Sequence, residues 1–166
     1  IDFFKEVLVA PLSRLTIFAG KTLGGCTDAL IQGSLMLAFG VILGISYSVQ
    51  MVVLALIFML VLAAAVVSIG LIIGAFMESP EGFQLIGSFV IFPMFFLSGA
   101  LFPINNLPPY LASVIFLDPM TYAVDGLRGV MLGTSHFNVL LDLGIICAFS
   151  LVMIAIGTYA FKRMKV

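Results

Sequence analysis

Charge is what this sequence has least of. Only 9% of its 166 residues are charged, against about 25% in an ordinary soluble domain, and the mean hydropathy is +1.30. These values exclude a soluble domain and indicate an integral membrane protein. Seven Lys and Arg against eight Asp and Glu give a net charge of −1. Because no basic surface can form to neutralise phosphates, we expect no nucleic-acid partner.

Residues that carry catalytic or metal-binding chemistry are also scarce. Cys26 and Cys147 both lie in apolar runs, which excludes the spaced framework of a secreted disulfide protein. His136 is the single histidine, and no second histidine or cysteine lies near it in the sequence. No Ser–His pair, carboxylate dyad or metal-ligand cluster falls at one predicted depth. We therefore predict no catalytic residue and no metal site, so that the chain is not itself an enzyme.

The longest charge-free run predicts two membrane spans. It extends for 49 residues between Asp28 and Glu78, and one helix of that length would measure more than about 70 Å, over twice the hydrocarbon thickness. Glycine, serine, tyrosine and glutamine cluster within it at residues 44–50. The break predicts spans at residues 22–45 and 51–74.

A second charge-free run, at residues 82–117, predicts one span followed by an interruption. The span is placed at residues 83–101. Five helix-breaking or polar residues follow it, which a lipid-exposed helix cannot accommodate: Pro103, Asn105, Asn106, Pro108 and Pro109. A final apolar run predicts a fourth span at residues 138–161. The fold class is therefore all-α integral membrane with four transmembrane helices.

Residues 103–133 are predicted to form a re-entrant helical hairpin at the outer surface. Its second half has Asp118 as a helix N-cap, Pro119 in the first turn and Gly133 as the stop. Its first half is apolar but too short to cross. Because Asp125 and Arg128 are three residues apart in this helix, we expect them to pair near the bilayer.

The distribution of cations predicts the orientation. Six of the seven fall on the side of the two chain ends, and only Arg128 falls on the other: Lys5, Arg14, Lys21, Lys162, Arg163 and Lys165. By the positive-inside rule both ends are cytoplasmic.

Residues 1–14 are predicted to form an amphipathic helix ahead of the first span. One face carries apolar side chains, the other carries Asp2, Lys5 and Glu6, and Pro11 ends the helix near residue 10. The helix either rests in the headgroup layer or docks a cytoplasmic partner, with Pro11, Ser13 and Arg14 shaping its exit. Glu78 and Glu81 mark a short inner loop, which is either a simple turn or a second contact with that partner.

The order of these motifs closely resembles the membrane domain of ABC type-2 exporters. The resemblance rests on residues 10–14 (Ala-Pro-Leu-Ser-Arg), the Leu-Ser-Gly at 97–99 with Phe102-Pro103, the Asp-Pro-Met-Thr-Tyr at 118–122, and Arg128-Gly129. It implies a permease of six spans that works as a homo- or heterodimer with two ATP-binding subunits in a prokaryotic inner membrane. Four spans match the family's last four, so we expect this single domain to be part of a longer protein.

The resemblance also implies the roles of particular residues. The segment 2–14 would be the coupling helix that receives motion from the ATPase, and residues 103–133 would cap the translocation path. The expected partner-coupling residues are Asp2, Lys5, Glu6, Pro11, Ser13, Arg14, Glu78 and Glu81. The expected hairpin and path residues are Ser98, Gly99, Phe102, Pro103, Asp118, Pro119, Tyr122, Asp125 and Arg128.

The implied activity is ATP-driven export of an amphipathic drug, a lipid or a lipid-linked glycan. The chain itself would hold no cofactor, since ATP and Mg would bind in the ATPase partner, and membrane lipid would surround the spans. Two other classes fit the same composition: an autonomous channel or secondary carrier, and a membrane scaffold or enzyme without transport activity.

Overall fold

The computed structural model describes residues 13–102 and 107–163, and within these ranges it contains six helices and no strand. The helices are α1 (Arg14–Ile42), α2 (Val49–Phe76), α3 (Pro80–Leu97), α4 (Pro109–Leu117), α5 (Pro119–Leu132) and α6 (Val139–Lys162). Four of them, α1, α2, α3 and α6, are long and apolar enough to cross a membrane. The predicted all-α membrane fold is thereby confirmed.

Two ends of the four long helices differ from the predicted span limits by four residues or more, and the other six lie within three residues of them. Helix α1 begins at Arg14, eight residues before position 22, because the Ser13 hydroxyl caps it by accepting from the Thr16 N–H at 3.2 Å. A single lysine, Lys21, does not end an otherwise apolar helix, since its long stem can reach the interface. Helix α3 ends at Leu97 rather than at 101, because Gly99 adopts a positive φ of 83° that turns the chain out of the helix.

The helices pack around two separate apolar cores. We call the side where α1 begins and α6 ends the terminal side, and the opposite side, with helices α4 and α5 (the hairpin), the hairpin side. The terminal-side core joins the start of α1 to the end of α6 and α2 through Ile17, Phe18 and Phe161, with Leu71 and Ala75 packed against them. Edge-to-face stacking of Phe18 on Phe161, with centroids 5.2 Å apart, is its central contact.

The hairpin-side core is built from α2, α5 and α6. Phe58, Ala123, Val130 and Ile146 are its buried members. Gly126 of α5 lies directly against the Phe58 ring, which leaves no space for a side chain there. The hairpin is therefore packed onto the body of the protein rather than suspended above it.

Helix α3 stands apart from this packing. None of its residues is buried, and Phe89, Phe92, Phe95 and Phe96 are exposed along it. A helix with aromatic side chains on its surface and no buried face needs lipid or another protein to cover it.

Candidate functional site

The junction of α4 and α5 is held by three side chains from the start of α5. Asp118 ends α4 and caps α5, its Oδ1 accepting from the Met120 N–H at 3.0 Å, and Pro119 follows in the first turn. The Thr121 hydroxyl donates to the Ile115 carbonyl at 2.7 Å, and the Tyr122 hydroxyl donates to the Phe116 carbonyl at 2.6 Å. These bonds satisfy carbonyls at the end of α4 and so fix the angle between the two helices.

The Asp118 side chain is buried in this position. The carboxyl group is 7% exposed, and its Oδ2 atom has no hydrogen-bond partner among the described residues. Burial raises the pKa of the Asp118 carboxyl to about 6, against the opposing effect of the Met120 N–H.

Asp125 ties the hairpin to the last long helix. Its two carboxyl oxygens accept from the backbone N–H groups of His136 and Phe137, at 2.7 and 2.9 Å, just before α6 begins. The expected ion pair with Arg128 is absent from the described part of the chain. Asp125, which is 5% exposed, is instead engaged by the His136 and Phe137 N–H groups of the loop before α6, which need an acceptor.

Aromatic rings complete this attachment. Phe137 packs edge-to-face on Phe116 of α4 at 5.4 Å and lies 5.5 Å from the Tyr122 ring, while the exposed His136 ring stacks on Phe116 at 5.7 Å. The connection between α5 and α6 is thus packed against both hairpin helices. His136 takes part in packing and donates its backbone N–H; no metal-binding group of three or more His, Cys, Asp or Glu occurs in the described ranges.

Asp142, in the first turn of α6, is a residue that the sequence reasoning did not select. It is fully buried, neither of its oxygens has a hydrogen-bond partner within the described ranges, and its carboxyl group faces that of Asp125. Two facing carboxyl groups repel each other when both are charged. The available signal was a lone carboxylate one turn inside an apolar span, where ionisable residues are costly.

Arg128 of α5 lines a cleft of about 450 Å³ that is open to the surface. The cleft is formed where three parts of the chain meet: the connection between α1 and α2, the segment after α3, and α5. Its lining includes Ile45, Tyr47, Ala100, Leu127, Arg128 and Met131. Arg128 is half-buried and, among the described residues that line the cleft, is the only charged side chain.

The other predicted hairpin residues have structural positions nearby. Ser98 is buried, and its hydroxyl donates to the Phe95 carbonyl at 2.6 Å, closing the last turn of α3. Gly99 is buried in the turn that follows, whereas Phe102 is exposed. Pro103 lies outside the described residues.

On the terminal side, the predicted coupling residues fall at helix ends. Glu78 and Glu81 are exposed on either side of Ser79, whose hydroxyl caps α3 by accepting from the Gly82 N–H at 3.0 Å. Ser13 is exposed and caps α1, and Arg14 is the first residue of that helix. The predicted amphipathic helix and its residues Asp2, Lys5, Glu6 and Pro11 lie outside the described ranges.

Comparison with known proteins decides the family. The family model described as ABC-2 type transporter matches residues 1–132. The chain belongs to the ABC-2 type transporter family. This ABC-2 chain is similar to the inner membrane transport permease YadH of Escherichia coli K12, with 30% identity over 146 residues, 87% of this chain and 56% of that protein.

Two further relatives show the same partial coverage. Nodulation protein J of Rhizobium leguminosarum bv. viciae is 28% identical over 160 residues, 96% of this chain and 61% of that protein. The linearmycin resistance permease protein LnrN of Bacillus subtilis is 29% identical over 161 residues, 96% of this chain and 41% of that protein. No solved structure matches the chain significantly. The ABC-2 chain thus spans between about two fifths and three fifths of the length of these relatives.

Proposed function

We propose that this chain is the membrane part of a permease subunit that exports an amphipathic molecule with energy from a separate ABC ATPase. The observation that carries the proposal is the family match over residues 1–132, which includes the hairpin. Relatives that are named as transport and resistance permeases support it. The cargo classes are an amphipathic drug, a lipid or a lipid-linked glycan, and ATP and Mg would bind in the ATPase partner.

The proposed contact with the ATPase is on the terminal side. The segment 2–14 precedes the body of α1 in the sequence. The exposed carboxylates Glu78, in the connection between α2 and α3, and Glu81, in the first turn of α3, lie on the terminal side. Both places are ends of long helices, so a movement imposed there displaces a whole helix rather than a loop. The terminal side would face the cytoplasm of a prokaryotic cell.

The terminal-side core supplies a route from that contact to the hairpin. A push on the start of α1 moves Phe18, which is packed against Phe161 at the end of α6. At its other end α6 contacts the hairpin in two ways: Asp125 of α5 accepts a hydrogen bond from the loop just before α6, and Ile146 of α6 packs in the hairpin-side core. Motion of the ATPase would therefore reach the hairpin as a rocking of α6.

A second permease protomer would cover α3. This helix buries nothing within the described part of the chain and presents phenylalanines to its surroundings. In the proposed homo- or heterodimer the cargo path runs between the two protomers, the hairpins cap it on the outer side, and membrane lipid covers the remaining apolar surface.

The test is co-purification of the full-length protein from its native host. We expect an ABC ATPase subunit to accompany it, and we expect the double variant Glu78→Lys with Glu81→Lys to lose that subunit at least about tenfold. Arg14→Glu provides a second variant at the other contact. Gln50→Lys, an exposed residue at the hairpin-side end of α2, is the matched control and retains the ATPase. Transport by the full-length protein without any ATPase would overturn the proposal.

A further inference from the structure

The cleft beside Arg128 presents an unusual combination of charge and apolar surface. Arg128 has no ion pair or side-chain hydrogen bond among the described residues, since the neighbouring Asp125 is engaged by the His136 and Phe137 N–H groups. The remainder of the lining is apolar apart from Tyr47. A guanidinium in such a place lacks both a counter-ion and a full shell of water, and it favours an anion.

The depth of the cleft identifies where that anion comes from. Ile45 and Tyr47, two of its lining residues, belong to the connection between the end of α1 at Ile42 and the start of α2 at Val49. This connection joins two candidate spans and so lies at the boundary of the bilayer. Lipid phosphate groups occupy the same layer, so Arg128 lies at their level.

The walls of the cleft continue into lipid-facing surface. Leu132 lines the cleft and is 71% exposed, and Ile45 lines it and is 51% exposed. An apolar chain can therefore pass from the surrounding bilayer along Leu127 and Met131 without crossing a polar barrier. The volume of about 450 Å³ accommodates a phosphate headgroup and the upper part of an acyl chain.

We propose that this cleft binds an anionic phospholipid of the surrounding leaflet, with the headgroup phosphate on the Arg128 guanidinium and an acyl chain along the apolar wall. Arg is suited to this contact because its planar donors reach two phosphate oxygens at once. A phospholipid with a net negative charge is favoured over a zwitterionic one, because the described lining of the cleft contains no carboxylate that could neutralise Arg128. The proposal goes beyond the export function and needs no ATPase.

The test is native mass spectrometry of the purified full-length protein released from nanodiscs that contain phosphatidylglycerol and phosphatidylcholine in equal amounts. One cation near a membrane surface contributes about 1 kcal/mol towards binding of anionic lipid, so we expect a preference for retained phosphatidylglycerol of about fivefold. Arg128→Gln abolishes the preference and Arg128→Lys keeps part of it. Arg163→Gln, which removes an exposed guanidinium at the other membrane boundary, is the matched control and retains it.

A second variant tests the apolar half of the site. Ala100→Phe fills the cleft while leaving Arg128 in place, and we expect it to lose the retained lipid with an unchanged melting temperature. Equal lipid retention by Arg128→Gln and the unaltered protein would overturn the proposal. Absence of retained lipid in the unaltered protein, as expected if a second protomer covers the cleft, would also overturn it. Displacement of the lipid by a transported drug at equimolar concentration would do the same.

Discussion

At the scale of single residues, three carboxyl groups lie on the hairpin side, and each has a different environment. Asp118 caps a helix, Asp125 binds loop N–H groups, and Asp142 is buried facing Asp125. The role of Asp118 could be predicted, because an N-cap followed by proline is a local pattern. The partners of Asp125 lie eleven and twelve residues away, and no local spacing indicates them.

Asp118 makes the stability of the hairpin depend on pH. Its pKa is raised from 3.8 to about 6 in the folded protein, so the folded state binds the proton more tightly than the unfolded state does. This contribution to stability is present in full below about pH 4 and is lost as the pH rises through 6. At 1.36 kcal/mol per pKa unit, the loss is of the order of 2–3 kcal/mol.

The prediction is tested with the variant Asp118→Asn, which keeps a capping oxygen but cannot ionise. Thermal unfolding of the two proteins should coincide near pH 4, and Asp118→Asn should be more stable above pH 6. Taking the difference between the two proteins removes the contribution of every other titrating group. Asp118→Ala, which also loses the cap, should be less stable than Asp118→Asn by about 1 kcal/mol at all pH values. A difference between Asp118→Asn and the unaltered protein that does not vary with pH would contradict the assignment.

Asp142 should tolerate an amide better than a methyl group. In Asp142→Asn the new NH₂ group can donate to the Asp125 carboxyl group, and the side chain cannot ionise beside it. We expect a stability equal to that of the unaltered protein or higher by about 1 kcal/mol, whereas Asp142→Ala leaves a cavity and a lower stability. Thermal unfolding at neutral pH distinguishes them, and an Asn variant as unstable as the Ala variant would refute the facing arrangement.

At the scale of helices, the sequence predicts segments well and contacts poorly. The lengths of the charge-free runs and the helix breakers between them predict four long helices. Asp118, Pro119 and Gly133 predict α5, which runs from Pro119 to Leu132 and ends at Gly133 with a φ of 73°. These signals are local. The Arg128 cleft could not be predicted, because three parts of the chain that are distant in sequence form its walls.

Packing of α5 on α2 yields a prediction of its own. A side chain at Gly126 would meet the fully buried ring of Phe58, which is enclosed in the hairpin-side core and cannot move aside. Gly126→Ala should therefore destabilise the protein by about 1–3 kcal/mol. Gly144→Ala is the matched control, because nothing lies within 4 Å of a side chain there and alanine favours the helix. Chemical unfolding, followed by a signal of helix content, measures the stability of both variants. Equal stabilities would show that the hairpin is not fixed on α2.

At the scale of the whole molecule, the two cores lie at opposite ends of the same helices. The terminal-side core joins α1, α2 and α6 where the proposed ATPase would act, and the hairpin-side core joins α2, α5 and α6 where the proposed path is capped. Helices α2 and α6 belong to both cores. In the proposed mechanism, a displacement applied on the terminal side would reach the hairpin side through these two helices.

Transmission of motion through the terminal-side core can be tested by shortening a single side chain. Phe18→Ala removes the edge-to-face contact with Phe161, so α1 should move without α6 following it. A spin label is attached to a cysteine at the exposed position 136 of each protomer, so that the distance between the two labels reports the position of the hairpins. Nucleotide trapping of the complete complex should change this distance when the rest of the protein is unaltered. We expect Phe18→Ala to retain its ATPase subunit but to lose most of this distance change. Leu23→Ala, an exposed residue on the same helix, keeps the full change, and a full change in Phe18→Ala as well would show that force reaches the hairpin by another route.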